Sequence, residues 1–143
     1  MDILKLHSLP TEILKLVSES EREGYRFVRR LVDEYESGVN DFSAHGEALF
    51  SVRNNGNLIG MGGVNIQPGG DPSVGRLRHV YISSSVRGSG FGKKLVSVIE
   101  AHSKQYFNKL VLFTNFESSI GFYEKLGYAP VNFPKISHEK TIG

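Results

Sequence analysis

The 143-residue chain contains no cysteine, which removes disulfide bridges, thiolate metal sites and cysteine nucleophiles together. It has no apolar stretch approaching the roughly 20 residues of a membrane span, and its N-terminus lacks a signal-peptide pattern. The expectation is a cytoplasmic protein that engages no membrane. Charge of one sign is also scarce: the formal net charge is +2, too small to argue for a nucleic-acid partner. Neither repeats nor low-complexity tracts occur. His7, His45 and His138 are too dispersed to suggest a metal site, so no metal is expected. A chain of this length can bury a core without disulfides or a structural metal, and residues 1–143 are read as one domain.

What is present centres on residues 74–106. Leu77, Val80, Tyr81 and Ile82 have the β-branched and aromatic density of a buried strand, which Ser83, Ser84 and Ser85 end as a turn cluster. Behind them, Phe91, Leu95, Val98, Ile99, His102 and Tyr106 recur at spacings of three and four, the inner face of a helix. Between strand and helix lie Gly88, Gly90 and Gly92, where no Cβ keeps a ligand from the main chain. Such a unit aims unpaired N–H groups and the positive end of a helix dipole at one point, which suits a phosphate. Arg76, Arg78, Arg87, Lys93 and Lys94 form a local basic excess that fits the phosphates of one small molecule better than a polymer backbone.

Two familiar phosphate motifs fail on the letters. A dinucleotide fingerprint needs G-x-G-x-x-G, whereas the glycines here read G-x-G-x-G; a P-loop needs a glycine where Arg87 stands. Arg87-Gly88-Ser89-Gly90-Phe91-Gly92 does read R-x-x-G-x-G. Placed after Val80-Tyr81-Ile82, it resembles the acyl-CoA-binding signature of the GCN5-related N-acetyltransferase (GNAT) family. A second block, Thr114 to Tyr128 (TNFESSIGFYEKLGY), is similar to that family's A-I-x-x-Y-E-K-x-G-F type helix. The resemblance covers residues 47–131 by motif and residues 1–46 by topology. One departure stands out: the family often has Asn seven residues before the tyrosine, where this chain has Phe116, with Asn115 one position earlier.

The resemblance implies acetyl-CoA as cosubstrate, with transfer of the acetyl group to a primary amine, small-molecule or peptide, by direct attack. It assigns the pyrophosphate to backbone N–H groups of residues 87–92, and the thioester and pantetheine to main-chain groups of Val80, Tyr81 and Ile82. Tyr123 matches the family's tyrosine and is the implied general acid, since a phenol with a pKa near 10 can assist a thiolate leaving group with a pKa near 8.5. Its other reading is a core aromatic beside Phe122. Asn115 reads either as a polar turn residue or as a coenzyme contact. Relatives often pair through strand edges, which leaves a homodimer open. A protein that binds acyl-CoA without transferring from it is the alternative from another functional class.

A base is harder to name. His79 is the nearest candidate, but strand alternation sets it with Leu77 and Tyr81, opposite Val80 and Ile82, where a packed histidine is the plainer reading. Glu47 and Glu117 are further candidates that also read as solvated carboxylates, and water can relay the proton. His102 reads as a satisfied core side chain. Acceptor specificity in the family usually arises from the first two helices and their connection, here residues 19–35 and 37–46, where Tyr25, Tyr35, Glu36 and His45 are the candidates to meet an amine.

The remaining elements complete a mixed α/β order, β-α-α-β-β-β-α-β-α-β, with helices flanking one sheet. A strand over residues 2–7 precedes a helix with Ile13, Leu16, Val17 and Ser20 inward, interrupted at Glu21 to Gly24. A second helix carries Val28, Leu31, Val32 and Tyr35 and stops at Gly38. Asn54-Asn55-Gly56-Asn57 joins two antiparallel strands as a hairpin. Gly60, Gly62 and Gly63 mark a bulge or a close backbone approach in the second of them. A parallel strand is expected over 109–113, a helix over 117–126 ending at Gly127, a last full strand over 128–133, and a short seventh strand at the edge over 137–142. In this topology the resemblance implies that the central and following strands splay apart to admit the acyl-CoA.

Overall fold

Ile13, Leu16, Val17 and Ser20 form the buried stripe of α1 (Ile13–Arg22), and Val28, Leu31 and Val32 that of α2 (Phe27–Ser37), as the three-and-four spacing requires. The computed structural model describes residues 1–143 and packs these two stripes on one face of a seven-stranded sheet. There they meet Phe42, Leu49, Met61 and Tyr81. The opposite face holds the larger core. In it, Leu95, Val96 and Ile99 of α3 (Phe91–Ser103) and Tyr123 of α4 (Glu117–Lys125) cover Phe50, Val52, Val64 and Leu77. No helix is long and apolar enough to cross a membrane.

The strands are β1 (Asp2–Lys5), β2 (Ala48–Asn54), β3 (Asn57–Ile66), β4 (Val74–Ile82), β5 (Lys109–Leu112), β6 (Ala129–Phe133) and β7 (Ile136–Thr141). Their spatial order is β1-β2-β3-β4-β5-β7-β6. Only β4 and β5 are parallel, as a connection through α3 demands. Their pairing runs from Val74–Lys109 to Arg76–Val111 and stops, although β4 continues to Ile82. The expected splay is therefore present, and beyond Arg76 the β5-facing edge of β4 has no strand partner.

An extra residue in β4 accompanies the splay. Met61 lies opposite Tyr81, yet Gly63 lies opposite Arg78, so Gly62 alone faces His79 and Val80. His79 takes the left-handed conformation, with φ of 59°, which places it among β-bulge residues. Gly62 permits the approach: a Cβ there would sit 3.0 Å from Val80 Cγ2 and 3.2 Å from Leu95 Cδ2. The bulge corrects the alternation expected from the sequence. His79 stays with Tyr81 on the α1–α2 side, where its ring lies 6.4 Å from that of Phe27 and 6.4 Å from that of Phe42. Leu77 belongs to the opposite core, against which Val80 and Ile82 also pack.

Two further expectations change. The seventh strand is not at the edge: β7 pairs with both β5 and β6, leaving β6 outermost. Its polar sequence, ISHEKT, hid the burial, because His138 is enclosed with its ring nitrogens 2.9 Å from Ser137 Oγ and 2.9 Å from Glu124 Oε2. Along α3 the inner face is Leu95, Val96, Ile99 and Ser103, while Tyr106 lies past the helix end and is exposed.

Leu110 of β5 is wholly buried in the larger core. Leu110→Ala is expected to cost about 2–5 kcal/mol, the usual range for deleting a buried leucine side chain. Urea unfolding of the two proteins measures it, and a loss below about 1 kcal/mol would mean the site collapses around the missing atoms.

Candidate functional site

The splay opens a cavity of about 890 Å³ whose walls are β4 from Arg76 onward, the loop and first turn leading into α3, the end of β5 and the residues after it to Phe116, one side of α4, and the α1–α2 connection with the start of α2. Of the residues that the resemblance assigned to the coenzyme or to acid catalysis, all but Ser89 line it: the stretch Val80 to Ile82, Arg87, Gly88, Gly90, Phe91, Gly92, Asn115 and Tyr123. Gly88 and Gly90 have φ of 84° and 85°, and Gly90 caps α3 in the left-handed conformation. This turn leaves the N–H groups of residues 88–93 without an acceptor in the chain. They converge where the α3 dipole is positive, an arrangement that can hold an anion.

Arg87 turns away from that loop's outer surface. Its Nε donates to Ile82 O at 2.9 Å, and Nη1 and Nη2 donate to the Glu23 carboxylate at 2.5 and 2.7 Å. The Tyr81 hydroxyl donates to the same carboxylate at 2.5 Å, with the guanidinium over its ring. Arg87's hydrogen bonds hold the Glu23 carboxyl below the usual range against the opposing effect of burial, with Tyr81 adding to the lowering. Glu19, a turn earlier, accepts from Ser84 N at 2.8 Å, Ser84 Oγ at 2.7 Å and Ser83 Oγ at 3.0 Å. Two carboxylates at the end of α1 thus clamp it onto the β4–α3 connection. No pattern in the sequence joined residues so far apart.

Tyr123 lies on the cavity wall and is nearly buried; its hydroxyl has no hydrogen-bond partner in the chain. Desolvation raises the phenol's pKa above its ordinary value of 10.0, so it stays protonated and able to donate at neutral pH. The reading as a core aromatic holds, since the ring packs edge-to-face on Phe122 and Tyr128, and the hydroxyl is at the same time left on the cavity wall. Phe116 also lines the cavity, edge-on to Tyr25 with centroids 5.1 Å apart, so it joins the α1–α2 connection to the loop after β5.

The suggested bases fare differently. No aspartate or glutamate lines the cavity. Glu47 instead accepts from the backbone N–H groups of Ala44 at 3.2 Å and Ile66 at 2.9 Å, and Glu117 is an exposed first-turn residue of α4. His79 does reach the cavity wall, but burial, reinforced by Arg78 and Arg30, lowers its pKa to about 3. It is neutral at pH 7 and a weak base. His102 Nε2 donates to Gly46 O at 3.0 Å, as a satisfied, half-buried side chain. Of the four specificity candidates, only Tyr25 lines the cavity. The sequence missed Arg26 and Arg30, which do, because the connection they flank shows its cavity side only in three dimensions.

Residues 11–128 match the profile of the acetyltransferase (GNAT) family. A curated relative, glucosamine 6-phosphate N-acetyltransferase of Trypanosoma brucei brucei, is 32% identical over 83 residues, 56% of this chain and 56% of that protein. The chain matches little more than half the length of its curated relatives. Among solved structures, a candidate acetyltransferase of Exiguobacterium sp. 255-15 superposes with a TM-score of 0.88 at 29% identity, covering 99% of this chain and 94% of that one. An aminoglycoside 6'-N-acetyltransferase complexed with coenzyme A shares the fold, with a TM-score of 0.75 at 20% identity over 100% of this chain and 98% of that one.

Because the Glu23 pKa is lower in the folded protein, its contribution to stability is present above the ordinary value of 4.5 and lost as pH falls through the folded value. Glu23→Gln is therefore expected to unfold at lower urea than the parent at pH 7. The gap should narrow as pH falls below 4.5 and close once pH lies below the folded value, where the parent carboxylate is itself protonated. A gap that persists in acid would trace the loss to packing instead.

Proposed function

The chain belongs to the GNAT acetyltransferase family, and from that premise we propose that it transfers the acetyl group of acetyl-CoA to a primary amine. The observation that carries the proposal is one cavity in which unpaired N–H groups at a helix N-terminus, a free edge of β4 and the unpartnered Tyr123 hydroxyl all meet. The loop of residues 87–92 takes the pyrophosphate. The unpaired edge from Val80 to Ile82 takes the pantetheine amides as an added strand would, which brings the thioester to the bulge. Asn115 stands on the opposite wall as a further coenzyme contact.

In the reaction, the amine lone pair attacks the thioester carbonyl carbon, a C–N bond forms and the C–S bond breaks. The leaving thiolate takes a proton, for which the Tyr123 hydroxyl is the donor. An acceptor with a pKa of about 10.4 must first lose its own proton, a cost of roughly 5 kcal/mol at pH 7. With no carboxylate in the cavity and His79 too weak a base, water carries that proton to solvent. The absence of a strong base also favours a second reading, a protein that binds acyl-CoA without transfer, and turnover separates the two.

Tyr123→Phe is expected to lower kcat by about 100-fold, within the usual range for a general acid, with acetyl-CoA affinity little changed by calorimetry. Unaltered kcat would remove the assigned role. Gly90→Val forces a β-branched residue into a left-handed φ of 85° at the cap of α3, so it should abolish acetyl-CoA binding in protein that circular dichroism shows to be folded. Retained affinity would contradict the loop assignment.

A further inference from the structure

The cavity wall carries five arginines and a lysine and no acidic residue. Arg87 and Lys93 flank the anion-holding loop. The other four form a second group, displaced along β4 beyond the bulge. Arg76 and Arg78 precede His79 on the face turned toward α2, and Arg26 and Arg30 stand one helical turn apart at the start of α2. The basic excess read from the sequence as serving one set of phosphates is thus divided between two places.

These four charges are poorly neutralised. Arg26 and Arg30 have no side-chain hydrogen bond or ion pair in the chain. Arg78 has only Glu34, at 3.9 Å. Arg76 donates to neutral acceptors, Gln67 Oε1 at 3.2 Å and Lys135 O at 2.9 Å. Half-buried, it has its pKa lowered by desolvation and by Arg78. The field of Arg78 and Arg30 also reaches His79 inside the cavity. Arg26 and Arg30 are exposed at the cavity mouth and Arg76 and Arg78 are half-buried deeper in it, so like charges converge on one space with a single distant carboxylate among them; an anion there would relieve their repulsion, and their forked donors match phosphate and carboxylate oxygens.

We propose that the acetyl acceptor is a small primary amine bearing a phosphate or carboxylate group, which Arg26, Arg30, Arg76 and Arg78 hold while the amine faces the bulge. This rests on the acetyl-transfer reading. The same charges disfavour an ammonium ion and so lower the amine's pKa, which helps release its proton where no carboxylate base exists. A polycation is excluded by the same field.

The test compares acceptors matched in all but charge: glucosamine with glucosamine 6-phosphate, ethanolamine with phosphoethanolamine and β-alanine, and kanamycin as a polycation. Acetylation should favour the anionic members, and phosphoethanolamine against β-alanine separates phosphate from carboxylate. In the double variant R30Q/R78Q, KM for the preferred anionic amine should rise about 10- to 100-fold, the loss expected for charge-assisted hydrogen bonds, the pH at which turnover rises should move upward as the amine regains its ordinary pKa, and acetyl-CoA affinity should stay put. Calorimetry of the CoA-loaded protein with the anionic amines gives a readout independent of turnover. Equal or better use of neutral amines or kanamycin, transfer only to an acidic peptide, no binding of any anionic amine, or a loss of acetyl-CoA affinity in the variant would each overturn the proposal. The neutral-amine result would leave acetyl transfer standing. Failure of the unaltered protein to bind acetyl-CoA would instead remove acetyl transfer, and this proposal with it.

Discussion

β4 can be held by β5 for only three residues. Past Arg76 it bears on β3 alone, and there the extra residue at His79–Val80 shifts its register. A bulge raises local twist and re-aims the side chains that follow, so one inserted residue places Tyr81 under α1 and α2 while Val80 and Ile82 remain with α3 and α4. The left-handed histidine costs free energy that its surroundings must offset. Phe27 and Phe42 enclose its ring, and Gly62 leaves room opposite. That distortion decides which side chains at the end of β4 face α1 and α2 and which face α3 and α4.

The two cores brace the cleft from opposite sides. α3 and α4 fix the loop and Tyr123 on one wall, and α1 and α2 reach the other through Glu19 and Glu23. These carboxylates sit where a chain reversal between helices would otherwise be free to move. Because Arg87 spends its donors on Glu23 and on Ile82 O, its contribution is to tie the β4–α3 loop to the end of α1. The loop's main-chain N–H groups stay unpaired.

Much of this was legible in the letters. The three-and-four spacing found α1, α2 and α3, the block from Thr114 to Tyr128 found α4 by its resemblance, and the Asn-Gly hairpin found β2 and β3. The glycine pattern with its following helix found the turn that caps α3, since the left-handed φ at Gly88 and Gly90 favours glycine. The bulge was not legible at His79, because a non-glycine residue gives no sign of a left-handed φ. Gly62 hinted at a close approach without saying which strand came close. β7 was misplaced for a related reason: a polar strand reads as an edge until its histidine is seen to be buried against Glu124. The arginine group was missed because Arg26 and Arg30 meet Arg76 and Arg78 only through tertiary packing.

The position of β7 bears on how the chain acquires its fold. β6 pairs with no strand but β7, and β5 has β7 as its only neighbour past the cleft. The far side of the sheet therefore closes only when residues 136–141 insert between β5 and β6. Until then β5 presents a bare apolar edge, the kind of surface that chaperones hold.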